Sequence, residues 1–335
     1  MPPALLKIAA LPIAALVWLG SLGTRAIAAL VFIGIAVPPA GELLKPYVTE
    51  AIFLLLCLSF LRVDLGTLRS TLRRPALVLA AAGWTMIAVP LISGGICWLT
   101  GFNSGSPDLY LALMLQALAS PMMAAPTLAA VMGLDATLVL VALVIGTCLV
   151  PITAPLFAYV FLGSALSLSP LALGLKLLAM LAGSLCVGSA IRWLTGGETI
   201  RQHVRLIDGI NVMILFVFVA AVMGNVAGGF LSDPIHALKL MALAFAVFFA
   251  LMGMTALVFR KAGDSRAIAL GLMVSQRNMG LMLAATDGLL PGTTWLYFAM
   301  SQFPIYLTPQ LLKPLVRRLS AQDIGATSSS EASKA

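Results

Sequence analysis

A single arginine lies in the middle of a long apolar segment of the chain. Arg277 stands about ten residues into a run that begins near residue 267, between Gln276 and Asn278 in the sequence GLMVSQRNMGL. If this run is a helix that crosses a bilayer, that depth places the arginine near the midplane. A charge there costs at least about 2.5–3.5 kcal/mol on insertion scales, which makes it a candidate functional residue.

An unpaired arginine in an apolar setting has two possible uses. Its planar guanidinium can bind a carboxylate or sulfonate through two parallel hydrogen bonds. Alternatively, it can act as a tethered cation that satisfies the backbone carbonyls at the C-terminus of a half-helix, whose dipole favours positive charge. No acidic residue lies in the middle of any apolar run, because Asp208 and Asp287 fall near run ends. Both interpretations remain open from the sequence.

A second group of polar residues surrounds two prolines in another apolar segment. The sequence QALASPMMAAPTLAAVMG contains Pro121 and Pro126, and proline removes a helix hydrogen bond and clashes with the preceding turn. We expect both segments to be interrupted helices, with helix breaks at Pro121, Pro126 and Gly280. Polar residues near the interruptions are candidate solute contacts, although such residues more often form interhelical hydrogen bonds. The candidate substrate-binding residues are Arg277, Asn278, Gln276, Thr127, Ser120, Gln116 and Asn225.

Catalysis within the apolar segments lacks its usual residues. An aspartyl protease needs two buried carboxylates, and a zinc site or a Ser-His pair needs histidine. The two histidines, His203 and His236, lie in or beside loops, and the four cysteines have no metal-ligand spacing. Proton coupling normally uses buried Asp, Glu or His. We therefore predict no enzyme activity, no cofactor, no metal site and no proton relay.

The composition is that of a membrane protein. Hydrophobic residues make up 61% of the 335 residues and charged residues only 10%, against about a quarter in soluble domains. The apolar runs are continuous rather than alternating, which predicts spanning helices and not a β-barrel. We predict an all-α polytopic membrane protein with ten transmembrane helices. The predicted spans are 24–39, 48–63, 75–99, 109–132, 136–162, 171–194, 206–230, 236–259, 267–288 and 293–316.

The loops between these spans alternate in charge. One set carries clusters of arginine, such as Arg62 with Arg69 and Arg192 with Arg201, whereas the alternate loops carry almost none. By the positive-inside rule, the basic loops and both termini face the cytoplasm. We therefore predict a multi-pass protein of the plasma membrane. Residues 1–23 are predicted to form an N-terminal surface helix, and residues 319–335 a disordered cytoplasmic tail.

The two interrupted spans occupy corresponding places in the two halves of the chain. They are the fourth and the ninth spans, and each is followed by a span with a related proline pattern, PITAP in one half and PIYLTP in the other. Matched interruptions of this kind indicate an inverted repeat of five plus five spans, 24–163 and 164–318, as in secondary transporters. Two ordinary proline kinks at helix contacts are the alternative.

In these residues the chain resembles the bile acid:sodium symporter superfamily, from about residue 24 onward. The resemblance rests on PPAGELLKPYV, on FLRVDLGTLRSTLRRP and on the order and spacing of the two interrupted spans. It implies that spans one, two, six and seven form a panel and that the other six form a core. The fourth and ninth spans then cross in the core, and the substrate binds between panel and core.

The residues at the interruptions depart from the family pattern. Met122 and Met123 stand where members carry two glycines after the proline of the fourth span. In the ninth span, Met273 stands where sodium-coupled members have a glutamate, and Arg277 where they have a glutamine, whereas Asn278 is kept. Sodium prefers oxygen ligands, and several of them are missing here. The resemblance therefore implies a carrier, but one without sodium coupling.

The residues and the resemblance together predict a secondary transporter. It would move a small organic anion by alternating access, driven by the gradient of the solute itself or by exchange. The predicted partners are this solute and the lipid bilayer, and not nucleic acid. The alternative is a non-transporting membrane sensor or scaffold that reuses the carrier fold. A carrier predicts a polar-lined cavity that reaches Arg277 from one side, whereas a scaffold predicts a crossing packed shut by apolar contacts.

Overall fold

The chain folds into helices joined mostly by short turns. The structure is a computed structural model that describes residues 3–22, 38–62, 75–163, 166, 168–287, 290–308 and 311–312. The helices are α1 Pro3–Ser21, α2 Pro38–Leu44, α3 Val48–Arg62, α4 Pro75–Leu99, α5 Phe102–Gly105, α6 Pro107–Leu118, α7 Ala125–Val131, α8 Ala136–Leu162, α9 Pro170–Thr195, α10 Gly197–Gln202, α11 Val204–Ser232, α12 Pro234–Phe259, α13 Asp264–Ser275, α14 Met279–Ala285 and α15 over residues 292–308.

Six helices in the described part of the chain are long and apolar enough to cross a membrane. They are the continuous helix Gly41–Arg62, which joins α2 to α3, together with α4, α8, α9, α11 and α12. They coincide with six of the predicted spans, so the prediction of a polytopic all-α membrane protein is confirmed. The first predicted span, 24–39, lies almost entirely outside the described residues, as does the predicted tail 319–335. The count of ten spans stays a prediction.

The N-terminal helix α1 packs directly against the backbone of α11. A Cβ atom added to Gly20 would lie 2.2 Å from the Arg205 carbonyl oxygen, and one added to Gly209 would lie 2.0 Å from the Leu16 carbonyl oxygen. Only residues without a side chain allow two helices to approach this closely. The N-terminal helix therefore has α11 as its contact partner, and its predicted place at the membrane surface stays a prediction.

The fourth and ninth predicted spans are each divided into two half-helices. The first break separates α6 from α7, and the second separates α13 from α14. Both segments are interrupted, and two of the three predicted break residues lie just after the breaks. Pro126 is the second residue of α7 and Gly280 the second residue of α14. The N–H groups of the first turn have no acceptor within a helix, so Pro126, which lacks an N–H, loses no hydrogen bond in the first turn of α7.

Two ion pairs mark one end of the helix bundle, which we call the basic end. Arg62 at the end of α3 pairs with Asp208 near the start of α11 at 2.8 Å, and Arg266 in α13 pairs with Asp135 at the start of α8 at 3.3 Å. Gly174, near the start of α9, contacts the second half of α8, so the two helices run antiparallel. The end of α9 lies beside the end of α3, where Arg192 donates to the Leu61 carbonyl. The starts of α8, α11 and α13 therefore lie together with the ends of α3 and α9.

Different contacts hold the helices together at the opposite end. Lys176 in α9 forms an ion pair with Asp287, just after α14. The Lys45 ammonium, which follows α2, lies 5.0 Å from the centre of the Trp295 ring in α15, within the range of a cation–π contact. Each contact joins a helix of the predicted panel to a helix of the predicted core.

Candidate functional site at the helix crossing

The two interrupted spans cross and pair through their backbones. The Met122 N–H donates to the Gln276 carbonyl at 2.7 Å, and the Asn278 N–H donates to the Ser120 carbonyl at 2.7 Å. These bonds form an antiparallel bridge between residues 121 and 277. Broken helices leave N–H and carbonyl groups without intrahelical partners, which is costly away from water. At the crossing each break supplies the partners that the other break needs.

Asn278 and Gln276 fix the chain on both sides of Arg277. The Asn278 side-chain oxygen accepts a hydrogen bond from the Leu281 N–H at 3.1 Å, so this residue is the N-cap of α14. The Gln276 side-chain amide donates to the Ile305 carbonyl in α15 at 3.3 Å. Both predicted site residues therefore hold the crossing together. The Gln276 side-chain oxygen and the Ser120 hydroxyl have no partner among the described residues.

Arg277 is fully buried, and its guanidinium is held by backbone carbonyls. Its Nη1 lies 2.9 Å from the Ala119 carbonyl oxygen, and Nη1 and Nη2 each lie 3.3 Å from the Thr85 carbonyl oxygen. Ala119 directly follows α6, so its carbonyl belongs to the C-terminal end of a half-helix, where the helix dipole favours a cation. We call these two carbonyls, of Thr85 and Ala119, the arginine socket.

The Thr85 carbonyl belongs to a π turn inside α4. The turn covers Trp84–Ala88, and in it the Val89 N–H donates a hydrogen bond to the Trp84 carbonyl, five residues earlier. In an α-helix, Val89 would have been the partner of the Thr85 carbonyl. In a π-helix the partner would be the fifth residue on, but that residue is Pro90, which has no N–H. Neither helical partner is available, and the Thr85 carbonyl accepts from Arg277 instead.

In the described part of the structure, the partners of Arg277 are backbone dipoles and not an opposite charge. The ion pairs found there all involve other residues, and no described carboxylate lies within ion-pair distance of the guanidinium. Its Nε also has no described partner. A buried charge without an opposite charge is costly. The arginine therefore carries a positive charge that the socket satisfies only in part.

A cavity of about 160 Å³ extends from the crossing between α3 and α11. Its wall draws on the second half of α3 and the first half of α11, so it lies between the crossing and the basic end. Most of the wall is leucine, isoleucine, methionine and aromatic side chains. The residues of the wall with polar or charged side chains, apart from Tyr306, are Ser59, Asn211, Arg277, Asn278 and Gln302.

The structure brings some predicted site residues together and leaves others apart. Arg277, Asn278 and Gln276 lie at the crossing, with Ser120 paired to them through its backbone. Gln116 is buried but accepts a hydrogen bond of 2.5 Å from the Tyr297 hydroxyl in α15 and does not contribute to the cavity wall.

Two further predicted residues do not join the described site. Thr127 is exposed on α7 and lies outside the cavity wall, because the buried face of α7 carries Ala125 and Ala129 instead. The side chain of Asn225 falls outside the described part of the structure, so its predicted contact remains a prediction.

Several residues of the site escaped sequence analysis. Asn211 and Gln302 contribute to the cavity wall, yet neither belongs to a polar group with a distinctive spacing in the sequence. The socket consists of backbone carbonyls, which residue types cannot reveal. Pro90 is the one visible signal, because a proline inside an apolar span predicts a carbonyl without its helical partner.

No protein-family model matches the chain, and no curated protein matches it.

Proposed function

We propose that the protein is a secondary transporter that moves a small organic anion across the membrane by alternating access. One observation carries the proposal: two interrupted helices cross at a buried arginine that contributes to the wall of a cavity. Interrupted helices that meet at mid-span are typical of carriers, whose half-helix ends bind the solute. The resemblance to the bile acid:sodium symporter superfamily, with its inverted repeat of ten spans, belongs to the same proposal.

The hydrogen bonds of Arg277 support an anionic solute. Arginine has five N–H donors, and the socket engages two on Nη1 and one on Nη2. The donors that remain are the Nε–H, which has no described partner, and the second N–H of Nη2. These two point the same way along one edge of the guanidinium, the arrangement that binds a carboxylate through two parallel bonds. The anionic group of the solute would also balance the buried charge.

The cavity indicates the rest of the solute. Its apolar wall favours a hydrocarbon body, and its volume of about 160 Å³ restricts that body to a small one. Asn211 and Gln302 would orient it. Because Arg277 already supplies a cation at the crossing, the transporter is expected to work without sodium, driven by the solute gradient or by exchange.

A non-transporting sensor or scaffold is the second candidate function. Complete burial of Arg277 favours it, because the socket can brace the crossing without any solute. The two functions differ in one measurable property, which is flux of a solute across the membrane.

Flux in proteoliposomes tests the proposal. Purified protein would be reconstituted and offered labelled benzoate, lactate or a short-chain fatty acid, with protein-free liposomes as the control. We expect saturable uptake of at least one anion, at the same rate in sodium as in N-methylglucamine. A reproducible rise in uptake with sodium would contradict uncoupled transport, and the absence of any flux from folded protein would favour the scaffold.

A further inference from the structure

The π turn of α4 is the one place where α4 departs from regular helix, and it lies against the buried charge. The turn begins at Trp84, and the carbonyl that faces Arg277 belongs to the next residue, Thr85. Single π turns inside α-helices occur frequently at functional sites. A residue of the sequence should therefore explain why the π turn forms next to the buried arginine.

Pro90 supplies that cause. Proline clashes with the carbonyl four residues before it, which here is Met86 inside the turn, and widening the turn relieves this clash. Proline also has no N–H, so it cannot engage the carbonyl of Thr85 in the wider π pattern. One residue therefore both opens the turn and leaves a carbonyl for the guanidinium.

In the described part of the structure, no other side chain donates to the Thr85 carbonyl. Thr85 and Met86 are buried. The Thr85 hydroxyl donates to the Ala81 carbonyl at 2.6 Å, so this hydroxyl is not available to the Thr85 carbonyl. A buried carbonyl without a donor costs about 1–3 kcal/mol. The arginine and the carbonyl thus each depend on the other, although they lie 192 positions apart in sequence.

We propose that Pro90 is a positioning residue for Arg277. By holding the Thr85 carbonyl out of the helix hydrogen-bond pattern, it fixes α4 to the crossing and aligns the guanidinium between Thr85 and Ala119. The inference goes beyond the proposed function and does not require transport, because the same coupling would exist in a scaffold.

Replacing Pro90 tests this role. Alanine at position 90 provides an N–H that restores a regular helix, and this helix would compete with Arg277 for the freed carbonyls. We expect Pro90→Ala to lower the melting temperature of the detergent-solubilised protein by about 3 °C or more. Pro151→Ala is the matched control, because Pro151 also lies inside a long helix, α8, with no role at the socket. It should leave the melting temperature unchanged or raise it.

A double-mutant cycle separates positioning from ordinary packing. In an Arg277→Met background no charge needs the Thr85 carbonyl, so Pro90→Ala should have no effect or raise the melting temperature. Pro151→Ala should have the same effect in both backgrounds. If Pro90→Ala alone fails to fold, the double variant should recover folded protein. Equal effects of Pro90→Ala and Pro151→Ala with Arg277 intact, or equal effects of Pro90→Ala in both backgrounds, would overturn the proposal.

Discussion

Arg277 acts as a tethered cation, and donors on one edge of its guanidinium are left for the other predicted use, the binding of an anion. Three of its donors occupy the socket, as expected for a tethered cation, and the edge with Nε is left without a described partner. The first use stabilises the crossing, and the second would bind an anion. The two uses are measured by different experiments, because one concerns stability without solute and the other concerns binding.

Replacing the arginine tests its structural use. Arg277→Gln removes the donors of two buried carbonyls, each worth about 1–3 kcal/mol, and this loss is offset in part by removal of the buried charge. We expect a lower melting temperature in detergent. Arg277→Lys should recover only part of the loss, because lysine lacks the planar fork.

Arg201→Gln is the matched control for these variants. Arg201 is an exposed arginine that pairs with Glu198 one turn away, and such a surface pair is worth little. Its loss should leave the melting temperature unchanged. Should Arg277→Gln prove as stable as the unchanged protein, the socket would be structurally dispensable, and anion binding would be the main use of the residue.

Sequence analysis found the charge of the site but not its surroundings. Arg277 stands out because a charge within an apolar run is visible in any sequence. Thr127 was placed near the solute from its sequence neighbours, but helix geometry turns it outward on α7. Asn211 belongs to the wall because α11 packs beside the crossing, and that contact joins residues distant in sequence. The socket was invisible because it consists of backbone atoms.

Close helix contacts through glycine hold the elements of the bundle together. Gly188 in α9 faces the backbone of α3, where an added Cβ would lie 2.8 Å from the Cys57 carbonyl oxygen. Gly41 faces α11 in the same way, because a Cβ added to Gly41 would lie 2.3 Å from the Gly224 Cα. Without a side chain at these positions the helices approach until their backbones touch, the contact on which membrane helices depend.

A single methyl group at one such contact should be enough to disturb it. Gly188→Ala forces α9 and α3 apart, and overpacking of this kind costs about 1–3 kcal/mol. We expect a lower melting temperature in detergent. Gly95→Ala is the control, since Gly95 also lies in a long helix but has open space around its Cα. A melting temperature that falls equally in both variants would show that loss of glycine itself, and not the contact, is responsible.

The elements were predicted better than their details. Long apolar runs located α4, α8, α9, α11 and α12 within a few residues, because a spanning helix needs a minimum length of apolar chain. The breaks were also visible, through the prolines of one span and the polar cluster of the other. Their edges shifted because a proline or a glycine can begin a helix as well as end one. The π turn had no signal except Pro90.

At the scale of the whole molecule, side-chain contacts connect helices at the end of the bundle opposite the cavity. The Lys176–Asp287 ion pair and the Lys45–Trp295 contact join the predicted panel to the predicted core at that end. Alternating access requires a second state in which the cavity closes and these contacts separate. An exposed ion pair is worth only about 0–1 kcal/mol, so breaking the Lys176–Asp287 pair adds little to the free energy of the second state.

The membrane potential should bias the direction of transport. Moving one net negative charge across a membrane is biased by about 2.3 kcal/mol per 100 mV, and an inside-negative potential drives that charge outward. With the anion at equal concentration on both sides of oriented vesicles, we expect net export. Inward movement would contradict uniport of an anion, and flux independent of potential would indicate exchange or a neutral solute.

Cross-linking the end opposite the cavity is the most direct test of the proposed alternating access. In a background with the exposed Cys148 and Cys186 replaced by alanine, Lys176→Cys and Asp287→Cys would be joined by a short bifunctional methanethiosulfonate reagent in proteoliposomes. The Lys176→Cys single variant, treated in the same way, controls for modification alone. The account predicts that cross-linking abolishes anion flux and that a reducing agent restores it. Flux at the full rate while the cross-link is intact would contradict it.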